Sequence, residues 1–329
     1  MRHIKRSLRH ITPDFIVSIR QHAIEHGRFP RLLNPQSFSE KVLYRKLFDR
    51  RGILTQFADK YAVRAYVAQT LGPEILPALY HVTKNPADIP FDALPERFVV
   101  KPTHGSGWVR LVRDKAALDR EELIDTCRAW LRTSFYKITR EWPYKHIEPR
   151  IIVEELVDDG AGEVPRDYKY YVFHGRVAMI QLDEGHFSEH RRNFYSPAWE
   201  KLDVRMNRPN IGRQVPPPAH LAEMIRAAEA LGQEIDFVRA DFYDTGGRIF
   251  FGELTTTPGG GLEPFSPANF DFHLGALWNV GQRGRAAVQA AGPGSPAARG
   301  APGEELAASV SGIGQGFPSP ALLSPPLFR

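Results

Sequence analysis

Cysteine is almost absent from this 329-residue chain, Cys127 being the only one. A lone thiol excludes an internal disulfide and any cysteine-rich zinc site, and its helically spaced neighbours suggest a small buried hydrophobe. No apolar run approaches the roughly 20 residues that span a bilayer. The N-terminal MRHIKRSLRH is basic, but no apolar core or small-residue cleavage site follows it, so it does not resemble a secretory signal and a cytoplasmic protein is expected. Familiar catalytic signatures are missing as well: there is no G-x-x-x-x-G-K-[ST], no H-E-x-x-H and no G-x-S-x-G. Nor is there the Asp-x-Asp pair that a metal-dependent sugar transferase would want, or an obvious internal repeat.

What is present is an ordinary globular composition, 42% hydrophobic and 25% charged, in a chain long enough for two or three subdomains. A formal charge of +5 and a pI near 9.2 favour anionic partners without choosing among nucleotides, acidic sugars and phospholipid headgroups. The basic N-terminus could make peripheral contact with an anionic membrane surface, although a stretch this short is more often simply solvated.

Residues 1 to 75 read as a helical segment. Phe38-Ser39-Glu40-Lys41 opens an amphipathic pattern through Leu43, Leu47 and Phe48, and Asp59 is placed to cap a second helix that ends near Gly72-Pro73. A turn-rich, short-stranded stretch follows to Ile89. Phe98 to Lys101 is a buried strand, and Thr103 to Gly107 a glycine turn whose backbone N–H groups could line phosphates, with a second strand from Trp108 to Val112. Glu121 to Phe135 has a 3.6-residue apolar period, with Leu123, Ile124, Cys127 and Leu131 on one side. Ile151 to Val157 is strongly strand-like, Asp158 to Pro165 a loop, and Tyr168 to Phe173 and Arg176 to Leu182 are strands joined at His174-Gly175. His190 to Asn193 reads as a basic loop, and Ala219 to Leu231 as a helix. From about Arg285 onward Ala, Gly, Pro and Ser dominate, which points to a disordered tail.

The most informative stretch runs from Phe237 to Gly261, FVRADFYDTGGRIFFGELTTTPGGG. Two runs of β-branched and aromatic residues flank Asp244-Thr245-Gly246-Gly247, the signature of a hairpin. With the turn centred near residue 247, Asp241 faces Glu253 and Arg239 faces Thr255. All four polar residues then share one face, while Val238, Ala240, Phe242 and Leu254 serve the other. Carboxylates about 4 Å apart repel by roughly 4 kcal/mol at an effective dielectric near 20, so something positive belongs between them. A divalent cation held by oxygens, Mg²⁺ by preference, would do this. A solvated charged face with a cross-strand Arg to Glu pair is the plainer alternative.

Taken in order, FSEK, DKYAVRAYV, FVVKPTHGSG, PRIIVEEL, RDYKYYVFHG, RRNFY and the hairpin with its TTTPGGG resemble the ATP-grasp superfamily, and within it the TupA-like group associated with teichuronopeptide and other surface polysaccharides. The resemblance covers roughly residues 37 to 280. It implies an α+β ATP-grasp fold: a helical segment 1–75, a small lid subdomain 76–157, a large subdomain 158–284 and the tail 285–329. Two α+β subdomains would clasp ATP, with Lys60, Lys101 and the loop His104-Gly105-Ser106-Gly107 on the phosphates. The edge backbone of Glu154, Glu155, Leu156 and Val157 would take adenine, with Asp167 near the ribose and Lys169 within reach of phosphate or an acidic acceptor. Asp241, Glu253 and Thr255 would hold Mg²⁺, and Arg239 would act on the transferred phosphoryl group. Thr255 stands where many relatives carry Asn, which bears on a second metal. The implied activity is an ATP- and Mg²⁺-dependent carboxylate–amine ligase acting on an acidic small-molecule or polysaccharide acceptor and an amine, with no nucleic-acid partner. A glycosyltransferase or other transferase of polysaccharide biosynthesis, and a non-catalytic ATP-binding partner, are the alternatives.

Overall fold

The computed structural model describes residues 12–158, 165–185 and 189–280. Four helices come first: α1 (Asp14–His26), α2 (Phe38–Phe48), α3 (Gly52–Ala58) and α4 (Val63–Leu71). α2 starts where Ser37 and Glu40 form a capping box, each side chain accepting from the other's backbone N–H, which satisfies donors the first turn leaves open. Asp59 does cap the approach to α4, accepting from the N–H groups of Tyr61 and Ala62, but the helix proper begins only at Val63.

A four-stranded antiparallel sheet follows, built from β1 (Leu79–Thr83), β2 (Phe98–Pro102), β3 (Arg110–Val112) and β4 (Ile151–Glu155) in the order β1-β4-β2-β3. The helix α5 (Arg120–Arg132) lies on it, capped by Asp119, with Leu123 and Cys127 buried against Phe98, Val100, Ile151 and Val153. Burying such an apolar side chain contributes about 1.5–3 kcal/mol. The thiol of Cys127 is pushed up to about 12 by that burial, which makes it inert packing material. A short helix, α6 (Phe135–Thr139), leads back towards β4.

The second sheet has six antiparallel strands: β5 (Asp167–Phe173), β6 (Arg176–Glu184), β7 (Arg191–Tyr195), β8 (Lys201–Leu202), β10 (Phe237–Asp244) and β11 (Ile249–Thr255), ordered β11-β10-β5-β6-β7-β8. β9 (Arg205–Met206) and β12 (Phe265–Ser266) pair apart from it. One apolar cluster joins this sheet to α3, α4 and α7 (Leu221–Leu231) through residues such as Leu54, Val67, Tyr170, Val238 and Leu231. Another joins it to α2 and α8 (Asn269–Ala276) around Phe38, Phe237 and the fully buried Trp278. Gly275 lets α8 approach α2 closely, because a Cβ there would lie 2.1 Å from the carbonyl oxygen of Gln36. Arg45, buried on α2, donates to the carbonyls of Phe237 and Thr256 at 2.8 and 3.1 Å and pairs with Asp236 at 2.5 Å, tying the helix to both ends of the hairpin.

Two expectations need correction. The basic stretch His190 to Asn193 is no loop, because most of it belongs to β7, where Arg192 lies opposite Asp183 and donates to its carboxylate at 2.6 and 3.0 Å. That neutralisation allows a guanidinium inside a sheet and leaves Arg192 buried rather than solvated. Glu154 and Glu155 do not lie on a sheet edge either: β4 is an interior strand, with Glu154 paired to Leu79 on one side and Val99 on the other. Most of the expected loop 158–165 and all of the expected tail 285–329 lie outside the described residues.

Candidate active site between the two sheets

The hairpin register depends on a single residue. At the turn, Asp244 pairs with Ile249 and Phe242 with Phe251, a register that would set Asp241 opposite Gly252. An irregularity at Gly252 inserts one residue, so Asp241 faces Glu253 and Arg239 faces Thr255. A Cβ on Gly252 would come within 3.1 Å of the Asp241 carbonyl oxygen, which explains a glycine where the two strands draw together. The alternation then sends Val238, Ala240, Phe242 and Leu254 into the core.

On the polar face, Arg239 occupies the centre. Its Nε and Nη2 donate to Asp241 at 2.7 and 2.6 Å, and Nη2 also reaches Glu253 Oε1 at 2.9 Å and Thr255 Oγ1 at 3.0 Å. Lys169, opposite Asp241 on β5, donates to Asp241 at 3.0 Å and also to Asp167. The positive charge between the carboxylates is therefore supplied by protein groups. The cross-strand Arg to Glu pair exists, but its face is largely buried: Asp241 is 2% exposed, while the Glu253 side chain keeps 35% of its surface. Burial pushes the Asp241 carboxyl up to about 6 in spite of Arg239 and Lys169. Against the same desolvation, Lys60 and Arg239 hold Glu253 at about 2. The four-cornered network keeps Arg239 and Lys169 protonated well past their ordinary ranges.

The other wall belongs to the first sheet and α4. Lys60, Arg64, Lys101, Glu154, Tyr144 and Glu253 line one narrow cleft with a volume of about 20 Å³. Lys101 Nζ pairs with Glu154 at 2.5 Å, Arg64 with the other Glu154 oxygen at 2.7 Å, and Lys60 Nζ donates to the Gly105 carbonyl at 2.5 Å. Burial lowers the Lys60 ammonium from its usual range, and burial beside Glu141 and Glu253 raises the Tyr144 hydroxyl well above its own.

The expected site residues thus fall into groups. Lys60, Lys101, Glu154 and Glu253 line the cleft; Arg239, Asp241, Lys169, Asp167 and Thr255 form the network beside it. His104 goes elsewhere. Its imidazole is buried, with Nε2 3.1 and 3.3 Å from the carbonyls of Trp130 and Thr133, and burial lowers its pKa. It pins the glycine turn to the end of α5 rather than facing the lysines. Gly105 admits the Trp108 ring where a Cβ would lie 2.6 Å from it, while Ser106 and Gly107 stay exposed at the tip. Glu155 spends its backbone N–H and one carboxylate oxygen on Ala78, so neither is free for a base; Leu156 and Val157 follow beyond the ladder. Arg64 and Tyr144 were not anticipated. Arg64 sits inside the stretch DKYAVRAYV, whereas nothing in the sequence around Tyr144 marks it.

The donor set is compatible with a hard divalent cation. It consists of oxygens alone, from Asp241, Glu253 and Thr255 on facing strands, and Glu253 Oε2 carries no hydrogen bond among the described residues. No group of three or more His, Cys, Asp and Glu side chains among the described residues could hold a metal unaided. Mg²⁺ suits this supply, because it takes one or two carboxylates and completes its shell with phosphate oxygens and water. Asp241 would have to share its oxygens with Arg239 and Lys169, and Thr255 is engaged between Arg239 and Glu253.

Residues 40–279 match the sequence model of the TupA-like ATPgrasp family. The chain belongs to this family. Among solved structures, this ATP-grasp protein is similar to the D-alanine–D-alanine ligase from Bacillus anthracis complexed with ATP, at 19% identity over 63% of this chain and 58% of that one, with a TM-score of 0.37. The Helicobacter pylori D-alanine–D-alanine ligase gives 18% identity over 68% and 61%, with a TM-score of 0.34. The ATP-grasp ligase PsnB complexed with minimal precursor gives 15% over 62% and 54%, with a TM-score of 0.35. The chain spans just over half the length of PsnB and of the B. anthracis ligase. No curated protein matches it. Among the described residues, no helix is long and apolar enough to cross a membrane.

Proposed function

We propose that this ATP-grasp protein is an ATP- and Mg²⁺-dependent carboxylate–amine ligase. The observation that carries the reading is the gathering of Lys60, Lys101, Arg239, Asp241 and Glu253 from two sheets and the turn before α4 around one cleft. Lys60 and Lys101, compact ammonium charges on flexible stems, neutralise the triphosphate, with Lys101 exchanging Glu154 for phosphate oxygens. Asp241 and Glu253 would hold Mg²⁺, which would supply neutralisation of the phosphate charge. Arg239, anchored through Nε and Nη2 on Asp241, offers its other amino group, Nη1, to the phosphoryl oxygens as charge shifts onto the leaving ADP.

In the first step a substrate carboxylate oxygen attacks the γ-phosphorus, the bond to the β-phosphate oxygen breaks, and ADP leaves an acylphosphate. In the second, an amine nitrogen attacks the acyl carbon, phosphate departs with the bonding pair, and the amine loses a proton to give the amide. Closure of the two sheets over the bound nucleotide would keep water from the acylphosphate. The acceptor is an acidic component of cell-surface polysaccharide, a reading supported by the family's association with teichuronopeptide, and the reaction takes place in the cytoplasm.

Purified protein incubated with MgATP, candidate acids and candidate amines tests this. ADP and phosphate should appear in equal amounts only when acid and amine are both present, matched by amide product. ADP formed without amide would overturn the ligase assignment.

A further inference from the structure

We infer that a second, larger cavity, distinct from the nucleotide cleft, receives the carboxylic acid substrate, and that Lys46 is the cation that anchors its carboxylate. The inference rests on the ligase reading and names the class of acid: a small carboxylate with an apolar body. The cavity measures about 420 Å³ and lies between α1, α2 and the segment 136–142. That volume falls within the range of small-molecule pockets, roughly 300–1,000 Å³.

Its lining divides by chemistry. Phe15, Leu32 and Phe48 supply apolar surface, and the two phenylalanines are about half exposed. Lys46, Arg50 and Arg140 supply three cations against the single carboxylate of Asp14, which is engaged by Tyr136 and Arg140. Arg50 lies over the Trp142 ring, 4.1 Å from its centroid, and donates to the carbonyl of Asp49.

Lys46 is the decisive residue. It is 2% exposed, yet its ammonium has no hydrogen bond and no ion pair within 4.0 Å among the described residues, and burial lowers its pKa. Glu141 and Asp14 act on it only from farther away, and the Glu141 carboxylate is committed to the Thr257 hydroxyl at 2.5 Å. An ammonium on so buried a side chain, with no partner among the described residues, is costly, and a carboxylate entering the cavity would satisfy it. The neighbourhood also explains the placement. Lys46 Nζ lies 3.6 Å from where a Cβ on Gly260 would be, in the turn Pro258–Gly261 that leaves the end of β11. An acid held there has its carboxylate next to the loop that follows Glu253 and Thr255, while its apolar body points to Phe15 and Phe48. The same segment lines both hollows, Arg140 and Trp142 the cavity and Tyr144 the cleft.

Ligand-observed NMR titration of the intact chain, without nucleotide, tests this with benzoate, 3-phenylpropionate and the uncharged amide of each. Either acid should bind in the millimolar range and its amide at least about 10-fold more weakly, as expected when a charged hydrogen bond is lost. Lys46→Met should weaken the acid about 10-fold and leave the amide unchanged. Arg50→Gln, at the exposed mouth, should weaken the acid to a smaller extent, which keeps the test intact if the buried variant does not fold. Calorimetric binding of a non-hydrolysable MgATP analogue should be the same in Lys46→Met as in the natural chain. Acids that bind no better than their amides, or a Lys46→Met protein with unaltered acid affinity, would overturn the inference. Acid binding that depends on Lys46 in a protein that binds no nucleotide would remove the ligase reading and leave the cavity as an anion site.

Discussion

The cleft and the cavity share the segment around Trp142 but are built on opposite electrostatic plans. In the cleft, with its volume of about 20 Å³, and in the network beside it, charges are mostly answered by charges: Lys101 by Glu154, Arg239 by Asp241 and Glu253, and Lys169 by Asp167 and Asp241, while Lys60 meets the Gly105 carbonyl. In the cavity an ammonium is buried with no partner among the described residues, in a volume of about 420 Å³. Under the proposed function, a network of paired charges would trade partners for phosphates and a metal, because the side chains are already oriented. An unpaired charge in a roomy, half-apolar hollow awaits an anion instead.

The contrast is open to attack in several ways, and the strongest is removal of the cleft's acids. Asp241→Ala with Glu253→Ala should cost at least about 10³-fold in amide formation, measured by coupled ADP release, while leaving 3-phenylpropionate binding in the cavity intact. Loss of both together would show that the two hollows are one site. Replacing Gly252 by Val should come next. Its side chain meets the Asp241 backbone, so the pairing of Asp241 with Glu253 slips, and turnover falls about 10²-fold with a stability loss of about 1–3 kcal/mol in urea.

The buried support beneath the hairpin should follow the paired plan. Arg45→Met takes from Asp236 its fully buried partner, leaving Arg51 and the Trp278 indole, and chemical denaturation should register a loss of about 3 kcal/mol, the low end for a broken buried pair. The same pair sets an acid limit. Burial would raise the Asp236 carboxyl, but Arg45 and Arg51, with the Trp278 indole N–H, hold it below its usual 3.8. A folded pKa below the unfolded one means that the stabilisation is complete above pH 3.8 and is lost as pH falls through the lower, folded value. The difference in urea midpoint between the natural chain and Asp236→Asn should therefore hold from neutral pH to about pH 4 and shrink below it. The smallest effect should have the opposite sign. Lys46→Met removes an unpaired buried charge and should raise the thermal midpoint by a few degrees, about 1 kcal/mol, whereas Lys101→Met in the cleft should lower it by leaving Glu154 with Arg64 alone.

A good deal of this was legible in the chain itself. Alternation along Phe237 to Leu254 settles which side chains face the core, the Ser37 to Glu40 spacing marks the start of α2, and the apolar period of α5 places Cys127 inside. Local preference decides those features, so they can be read locally. The register of the hairpin came out correctly for a reason the sequence does not display. The turn is centred half a residue earlier than expected, and the irregularity at Gly252 restores the pairing.

Other features were decided by packing between distant segments. His190 to Asn193 looked like a loop because two arginines in a row read as solvent-facing, and only the pairing of β7 with β6 brings Asp183 to Arg192. Glu154 and Glu155 looked like an edge because strand order within a sheet depends on which strands meet from either side, here β1 and β2. His104 is a phosphate candidate by position, yet the carbonyls that hold it belong to the last turn of α5 and to the residue that ends it, 26 and 29 residues on. Lys46 carried no signal at all: on its helix it is one basic residue among several, and its isolation exists only where α1, α2 and the segment 136–142 close around it. Sequence alone determined the elements, their buried faces and the family, because these follow from periodicity and from residues close in the chain. Which charges are paired and which are left alone was decided by tertiary structure, since partners some 90 to 190 residues apart, as in Arg64 with Glu154 and Arg45 with Asp236, meet only after folding.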